Sequence, residues 1–127
     1  MLPSGIRRVL LASLALLLAG CLGTARPDTA EWLPKWEAIV DLVPDRQDLG
    51  DPPDENLCQI TLAAIRDQSE ELLPTPTQTV DDLVEEWVAV AEAAFFECPP
   101  AGEEIASFDD AYQQLATLEQ SIRSTLE

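Results

Sequence analysis

Carboxylates are the most numerous reactive side chains in this 127-residue sequence, which has 24 acidic residues, 7 basic residues and no histidine. Histidine is the commonest general base and a frequent metal ligand, so its absence lowers the expectation of catalysis. A carboxylate pair such as Asp81 and Glu85 can in principle transfer protons, but the helical pattern places both on an exposed face without a nucleophile. The sequence therefore predicts that the protein is not an enzyme and needs no cofactor.

A second set of carboxylates recurs at every third residue in segment 45–55, which also contains Gly50, Pro52 and Pro53 and predicts a loop. Carboxylates on a loop can bind Ca²⁺, but an EF-hand loop places its ligands at alternate residues. A solvated loop is therefore favoured, with its last acidic residues opening the next helix at the positive end of the helix dipole. A metal site is the alternative interpretation, and its ligands would be Asp45, Asp48, Asp51 and Asp54.

Two of the three cysteines predict a disulfide. Cys58 and Cys98 lie on the apolar faces of two predicted helices, and the midpoint between them falls in the Pro/Thr-rich turn 73–79. Residues equidistant from the turn of an antiparallel hairpin lie side by side, because both helices rise by about 1.5 Å per residue. In an exported protein this spacing predicts a disulfide that clamps the open end of an αα-hairpin. A reactive thiol or thiolate metal site is poorly supported with only two cysteines and no histidine.

The third cysteine, Cys21, ends an N-terminal signal. Arg7 and Arg8 precede an almost wholly apolar run, residues 9–19, which has the length of the hydrophobic region of a signal peptide. A membrane-spanning helix needs about 20 apolar residues, so that interpretation is disfavoured. The run closes on Leu18-Ala19-Gly20-Cys21, which resembles the lipobox of bacterial lipoproteins. An ordinary secretory signal with an incidental Cys21 is the alternative.

The lipobox resemblance implies that Cys21 receives a diacylglyceryl group and that the chain is cut between Gly20 and Cys21. Two acyl chains make a stable anchor, whereas one holds only marginally. The protein is then expected on the extracytoplasmic face of the cell membrane, or of the outer membrane if the host has one. Leu22 follows the cysteine, so the Asp that favours inner-membrane retention in such lipoproteins is not present there.

The remaining sequence predicts an all-α fold, a small antiparallel bundle of about four helices with the disulfide-clamped hairpin, preceded by a signal peptide. The domain organisation expected is a signal peptide at 1–20, the lipidated cysteine with a short tether at 21–29 and an acidic helical domain at 30–127. Apolar residues recur at helical spacing. The helices are predicted at 30–43 (or from Pro34), 53–73 (or from Asp54), 79–98 and 108–125, with an earlier turn at 103–106 as the alternative for the last helix and with Thr79 and Ser107 as the caps of the last two.

Two apolar patterns admit alternatives. Trp32 and Trp36 share the apolar face of the first helix and so favour core packing, although indole rings are also enriched at the lipid interface. The last helix carries a near-heptad stripe that either packs against the other helices or forms a coiled-coil seam between chains; packing within one chain is favoured. The stripe consists of Ile105, Phe108, Tyr112, Leu115, Leu118, Ile122 and Leu126.

Charge narrows the range of partners. Loss of Arg7 and Arg8 with the signal leaves 5 basic residues against 24 acidic ones, a net charge of −19. Such a surface repels nucleic acid and anionic headgroups and favours solubility and cationic partners. The expected function is a structural or protein-interaction module at the cell envelope, with an envelope protein as partner. The alternative is a small-ligand or cation-binding lipoprotein, with loop 45–55 or a pocket between helices as its site.

Overall fold

The computed structural model describes residues 25–127, so the predicted signal peptide and lipobox, including Cys21, lie outside the described residues. Within residues 25–127 the chain forms helices and no strand, which confirms the predicted all-α fold. The four helices are α1 (Thr29–Leu42), α2 (Glu55–Ser69), α3 (Gln78–Phe96) and α4 (Glu104–Leu126), and a short 3-10 helix (Arg46–Leu49) lies between α1 and α2.

Successive helices run antiparallel, and the bundle therefore has two distinct ends. At the turn end, the start of α1 meets the α2–α3 connection, where Trp32 Nε1 donates a hydrogen bond to the Leu72 carbonyl at 2.7 Å. At the opposite end, the disulfide end, the Tyr112 hydroxyl of α4 donates to the Pro44 carbonyl just after α1, at 2.8 Å. The connections 70–77 and 97–103 are short and favour this up-and-down arrangement, and the longer connection 43–54 contains the 3-10 helix.

The predicted disulfide is confirmed: Cys58 near the start of α2 is bonded to Cys98 just after α3, with a Cα–Cα distance of 5.9 Å. Both cysteines are buried, Cys58 completely. The bond closes a loop with a sequence separation of 40 residues. In the chain-entropy model, a closure of this length stabilises the folded state by about 4 kcal/mol.

Three tryptophans fill the centre of the bundle. Trp32 and Trp36 of α1 stack with ring centroids 5.8 Å apart, and Trp36 meets Trp87 of α3 edge-on at 5.1 Å. All three are at most 1% exposed, which confirms the core interpretation for Trp32 and Trp36 over the lipid-interface alternative. Offset and edge-on aromatic pairs of this kind contribute about 0.5–1.5 kcal/mol each beyond their buried area.

The apolar stripe of α4 packs within the chain. Phe108, Leu115, Leu118 and Ile122 are buried in the single core cluster, and Phe108 meets Phe95 of α3 edge-on at 6.1 Å. The stripe is thus used by intramolecular packing, as the favoured interpretation predicted, and its central residues are not available as a seam between chains.

Two predicted helix caps are wrong. Thr77 rather than Thr79 caps α3, with its Oγ1 accepting a hydrogen bond from the Val80 backbone N–H at 3.2 Å. The helix α4 begins at Glu104, in agreement with the alternative of an earlier turn at 103–106, so Ser107 lies inside it and caps nothing. Before α3, Thr75, Thr77 and Thr79 recur at every second residue, so the spacing of cap and acidic residue fits more than one register. Before α4, the cap position is Glu103, whose side chain caps nothing, and it follows Gly102 with a φ of 59°.

The α2 helix ends at Ser69 instead of Leu73, whereas its predicted start is confirmed. Asp54 caps that start, because its Oδ1 accepts a hydrogen bond from the Leu57 N–H at 2.9 Å. The early end frees the Leu72 carbonyl for Trp32 and lets the Leu72 side chain, 1% exposed, reach the core. Tertiary packing therefore overrides the local helical pattern at this point.

None of the helices in the described part of the chain has the length and apolarity to cross a membrane.

Candidate functional site

A groove between the C-terminal end of α1 and the middle of α4 gathers carboxylates from three separate segments. Its volume is about 460 Å³. The acidic groove, as we call it, is lined by four acidic residues, Asp41, Asp45, Asp48 and Glu119, together with Val40, Val43, Pro44, Trp87, Tyr112, Leu115 and Ala116. No basic side chain lies among these described residues, so the groove concentrates negative charge.

Local structure places the acidic loop against α4. Pro44 follows α1 directly, and its carbonyl accepts the hydrogen bond from Tyr112. Leu49, 1% exposed, fixes the end of the 3-10 helix in the core. Between these two fixed points Asp45 precedes the 3-10 helix and Asp48 lies within it, and both are exposed. The groove is therefore built on packed elements rather than on a free loop.

The half-buried Glu119 lies in the groove beside the core. Burial raises the pKa of its carboxyl above the usual value, and the indole of Trp87 and the charge of Arg123 offset part of that increase. The Trp87 indole faces Glu119, but its Nε1 makes no hydrogen bond of ordinary geometry with any described residue. An unpartnered buried N–H costs about 1–3 kcal/mol.

Tyr112 contributes an uncharged side chain to the lining of the groove. Burial raises the pKa of its hydroxyl, with opposing smaller effects from the nearby charges of Arg46 and Asp45. The hydroxyl therefore stays protonated and continues to donate to the Pro44 carbonyl. The Arg46 side chain pairs with a carboxylate outside the groove, because its Nε donates to Asp109 at 2.7 Å and its guanidinium lies 5.2 Å from the centroid of the Phe108 ring.

The four aspartates of the alternative metal site do not converge. Asp45 and Asp48 line the acidic groove, Asp51 lines a separate cleft with Gly50 and Asp109, and Asp54 caps α2. Among residues 25–127 no group of three or more acidic or cysteine side chains is spaced to hold a metal ion. The loop thus contributes two carboxylates to the groove and one to a helix cap.

The predicted carboxylate pair, Asp81 and Glu85, consists of two residues with different surroundings. Asp81 belongs to what we call the Arg26 network, which consists of Arg26, Thr75, Gln78 and Asp81 at the turn end. Its Oδ1 accepts hydrogen bonds from the Thr75 N–H at 2.9 Å and from the Thr75 hydroxyl at 2.6 Å, while its Oδ2 pairs with Arg26 at 2.9 Å. Glu85 is exposed on the next turn. Both carboxylate oxygens of Asp81 are therefore used in contacts that hold the turn end together.

Opposing effects set the ionisation of Asp81. Burial alone would raise its pKa, but the two hydrogen bonds from Thr75 and the charge of Arg26 outweigh burial and lower it. Arg26 also donates to the Thr75 carbonyl at 3.0 Å and to Gln78 Oε1 at 3.1 Å. Contacts of the folded domain therefore extend back to Arg26, inside the segment that the sequence predicts as a tether.

Sequence analysis missed two of the four groove carboxylates, Asp41 and Glu119, because they come from helices far apart in the chain. One signal was present for Glu119. It follows Leu115 by four residues and so occupies the next turn on the same side of α4, where a carboxylate interrupts the apolar stripe. Asp41, on the polar side of α1, carries no comparable signal.

Comparison with protein-family models, with curated proteins and with solved structures found no match to this chain. Its function is therefore argued from its own residues.

Proposed function

We propose that this chain is a lipid-anchored extracytoplasmic protein whose helical bundle serves as a protein-interaction module at the cell envelope. The anchor rests on the lipobox-like Leu18-Ala19-Gly20-Cys21 after a basic and then an apolar segment. The interaction role rests on one structural observation, the Arg26 network. The network ties the chain just after Cys21 to the turn end, so an anchor at Cys21 would leave the disulfide end, with the acidic groove, facing away from the membrane.

The length of chain between anchor and network supports that orientation. Arg26 is the fifth residue after Cys21, and a fully extended chain over those five steps spans at most about 18 Å. Arg26 is tied to Thr75 and Asp81 in the α2–α3 connection. A lipid on Cys21 therefore holds the turn end close to the bilayer, and the disulfide end lies farther out.

The outward half of the bundle then carries the features suited to a partner. The acidic groove opens beside the end of α1, which belongs to the disulfide end. The same end carries Phe96, which is 70% exposed with its ring 6.0 Å from the Arg66 guanidinium. Because the disulfide and the tryptophan core hold the helices together, this surface is presented without a large ordering cost on binding.

Site-directed crosslinking in intact cells tests the interaction role. A photoreactive amino acid is introduced at position 45 in the acidic groove, and the matched control carries it at position 71, an exposed glutamate near the turn end. We expect one envelope protein to be crosslinked repeatedly from position 45 and not from position 71. Equal crosslinking from both positions, or from neither, contradicts a partner-binding outward face.

The second candidate function is the binding of a small cation, and the acidic groove is the observation that favours it. Its lining contains four acidic residues and no basic one. A thermal melt of the mature protein with amines and with divalent ions tests this candidate. A saturable rise in Tm with an amine supports it, and an unchanged Tm with every cation contradicts it.

A further inference from the structure

We propose that a second groove, between α3 and α4 at the disulfide end, binds a basic amphipathic helix of a partner protein. This groove, the α3–α4 groove, has a volume of about 290 Å³ and shares no lining residue with the acidic groove. Its apolar lining consists of Val90, Ala93, Ala94, Pro100, Phe108 and Ala111. The inference rests on the proposed interaction role and adds the chemistry of the partner.

The apolar lining of the α3–α4 groove is anchored in the core. Phe108 is 4% exposed and meets Phe95 edge-on with ring centroids 6.1 Å apart. Pro100, in the connection between the two helices, is also buried. Ala93 is exposed and Ala94 is half-buried, so the lining includes apolar surface that solvent reaches. An apolar side chain of a partner therefore enters a preformed recess, with little ordering cost to this chain.

An exposed aromatic side chain adjoins the groove. Phe96 is 70% exposed and follows Ala93 by three residues, so the two are neighbours on the surface of α3. The Arg66 guanidinium lies 6.0 Å from the Phe96 ring, and neither residue lines the groove itself. Contiguous exposed apolar surface is typical of protein interfaces, where aromatic residues contribute most to affinity. The apolar surface thus extends beyond the groove, which favours a partner larger than a small molecule.

The charges in the lining determine which partner fits. Glu97, at the end of α3, and Glu104, at the start of α4, both line the groove and are exposed. No basic residue lines it in the described part of the chain. Glu97 also lies at the C-terminal end of α3, where the helix dipole is negative. A helix whose apolar stripe is flanked by lysine or arginine complements an apolar groove with carboxylates in its lining.

The length of the groove suits a short helix. Its lining runs from Val90 to Glu97 on α3 and from Glu104 to Gln114 on α4, which at the helical rise is about 10 Å and about 15 Å, or roughly two to three turns. Its volume is at the lower limit of small-molecule pockets, which occupy roughly 300–1,000 Å³. A second copy of this chain is disfavoured, because a symmetric contact through the groove brings the same carboxylates of both copies together.

The experiment measures the binding of a labelled synthetic peptide by fluorescence anisotropy. The protein is purified from its host and reconstituted in nanodiscs of zwitterionic lipid, with empty nanodiscs as the blank. A protein recovered without a lipid is measured in buffer, so the result does not depend on the anchor. The peptide has about 14 residues, near the lower limit for an isolated helix, with leucines at helical spacing and lysines elsewhere. A control peptide of the same composition alternates leucine and lysine and so lacks the helical stripe. We expect saturable binding of the first peptide, at least about tenfold tighter than that of the second.

One pair of variants tests the apolar surface. Phe96→Ala removes the aromatic side chain beside the groove, and the matched control Ile60→Ala removes a side chain of α2 that is 57% exposed and lies outside the groove. We expect Phe96→Ala to weaken binding of the peptide by about fivefold or more and Ile60→Ala to weaken it by less than about twofold.

A second pair of variants tests the charge. Glu97→Gln/Glu104→Gln neutralises the two carboxylates of the lining, and Glu37→Gln/Asp67→Asn removes the same charge from exposed positions outside the groove. We expect about fivefold weakening from the first double variant and less than about twofold from the second. Equal weakening within either pair would show that net charge or general hydrophobicity attracts the peptide, and would overturn the proposal.

Two further outcomes would also overturn it. The first is absence of saturable binding, or equal binding of the two peptides. The second is a dimer of the protein, detected by light scattering, that dissociates in Phe96→Ala and not in Ile60→Ala, because a second copy would then cover this surface. Crosslinking from position 45 in cells that persists in any of these cases would leave the proposed interaction role standing while this inference fails.

Discussion

Both ends of the bundle place acidic side chains against packed helices, but the carboxylates at the two ends differ in their hydrogen-bond and charge partners. At the turn end, Asp81 accepts two hydrogen bonds from Thr75 and pairs with Arg26. In the acidic groove toward the disulfide end, Glu119 faces an indole N–H that makes no hydrogen bond of ordinary geometry, and no base lines the cavity in the described chain. A carboxylate with a lowered pKa and several partners, such as Asp81, is typical of a structural role, whereas a half-buried carboxylate with a raised pKa in a groove is more typical of a functional site.

The two ends also differ in what holds the helices together. The turn end relies on the Arg26 network and on the hydrogen bond from Trp32 to the Leu72 carbonyl. The disulfide end has the covalent bond between Cys58 and Cys98. The covalent bond joins α2 to α3, whereas the groove side of this end relies on the hydrogen bond from Tyr112 of α4 to the Pro44 carbonyl after α1.

The largest effect should come from removing the clamp. Cys58→Ser/Cys98→Ser is expected to lower the free energy of unfolding by about 4 kcal/mol, because the unfolded chain regains the entropy of the closed loop. Urea denaturation monitored by circular dichroism measures the change. Reduction of the wild-type protein provides the control and should give a loss of similar size. Wild-type stability in the double variant would contradict the importance of the clamp.

The next effect should come from the turn end. Asp81→Ala leaves the Thr75 N–H and hydroxyl without their acceptor and Arg26 without its partner, so we expect a loss of roughly 2–3 kcal/mol. The adjacent Asp82 is exposed and accepts only a long 3.5 Å hydrogen bond from Gln78, so Asp82→Ala should change stability by less than about 0.5 kcal/mol. Equal losses in the two variants would show that Asp81 has no special role.

The pH dependence of stability should differ in sign between the two carboxylates. The lowered pKa of Asp81 means that its contribution is present above the ordinary value of 3.8 and is lost as the pH falls through the folded-state pKa. The raised pKa of Glu119 means that its contribution is present below the ordinary value of 4.5 and is lost as the pH rises through the folded-state pKa. Titration of both side chains by NMR checks the two directions, and a lowered pKa for Glu119 would remove the contrast.

The smallest effect should come from neutralising the groove. Glu119→Gln removes a half-buried charge and is expected to leave stability at pH 7 unchanged or raise it by up to about 1 kcal/mol. Thermal melts of this variant beside wild type, at neutral pH and at pH 4, measure the change. A destabilisation comparable to that of Asp81→Ala would mean that Glu119 is a structural residue rather than a ligand-facing one.

The sequence predicted those parts of the fold that depend on spacing along one helix or across one turn. The register of Cys58 and Cys98 about the turn identified the disulfide, and the apolar stripe of α4 identified its buried face. The predicted cap of α3 was wrong because neighbouring threonines offer nearly equivalent registers, and that of α4 was wrong because the helix begins at Glu104 without a side-chain cap. The local sequence pattern therefore predicted the existence of the helices better than the residues at which they begin and end.

The acidic groove was harder to predict than the helices. Asp45 and Asp48 were recognised as members of an acidic loop, but their regular spacing suggested a set of four that the structure divides among a groove, a cleft and a cap. Asp41 and Glu119 join them only after α1 and α4 have packed. A site assembled from three segments with no shared motif leaves no pattern in any one of them.

The intact mass of the protein extracted from membranes of its own host tests the central claim, the anchor at Cys21, most directly. We predict a chain that begins at Cys21, lacks residues 1–20 and carries a diacylglyceryl group. The matched variant Cys21→Ser should lack that added mass. A wild-type chain that retains residues 1–20, or one cut at another residue without an acyl group, would contradict the anchor and with it the proposed orientation of the bundle.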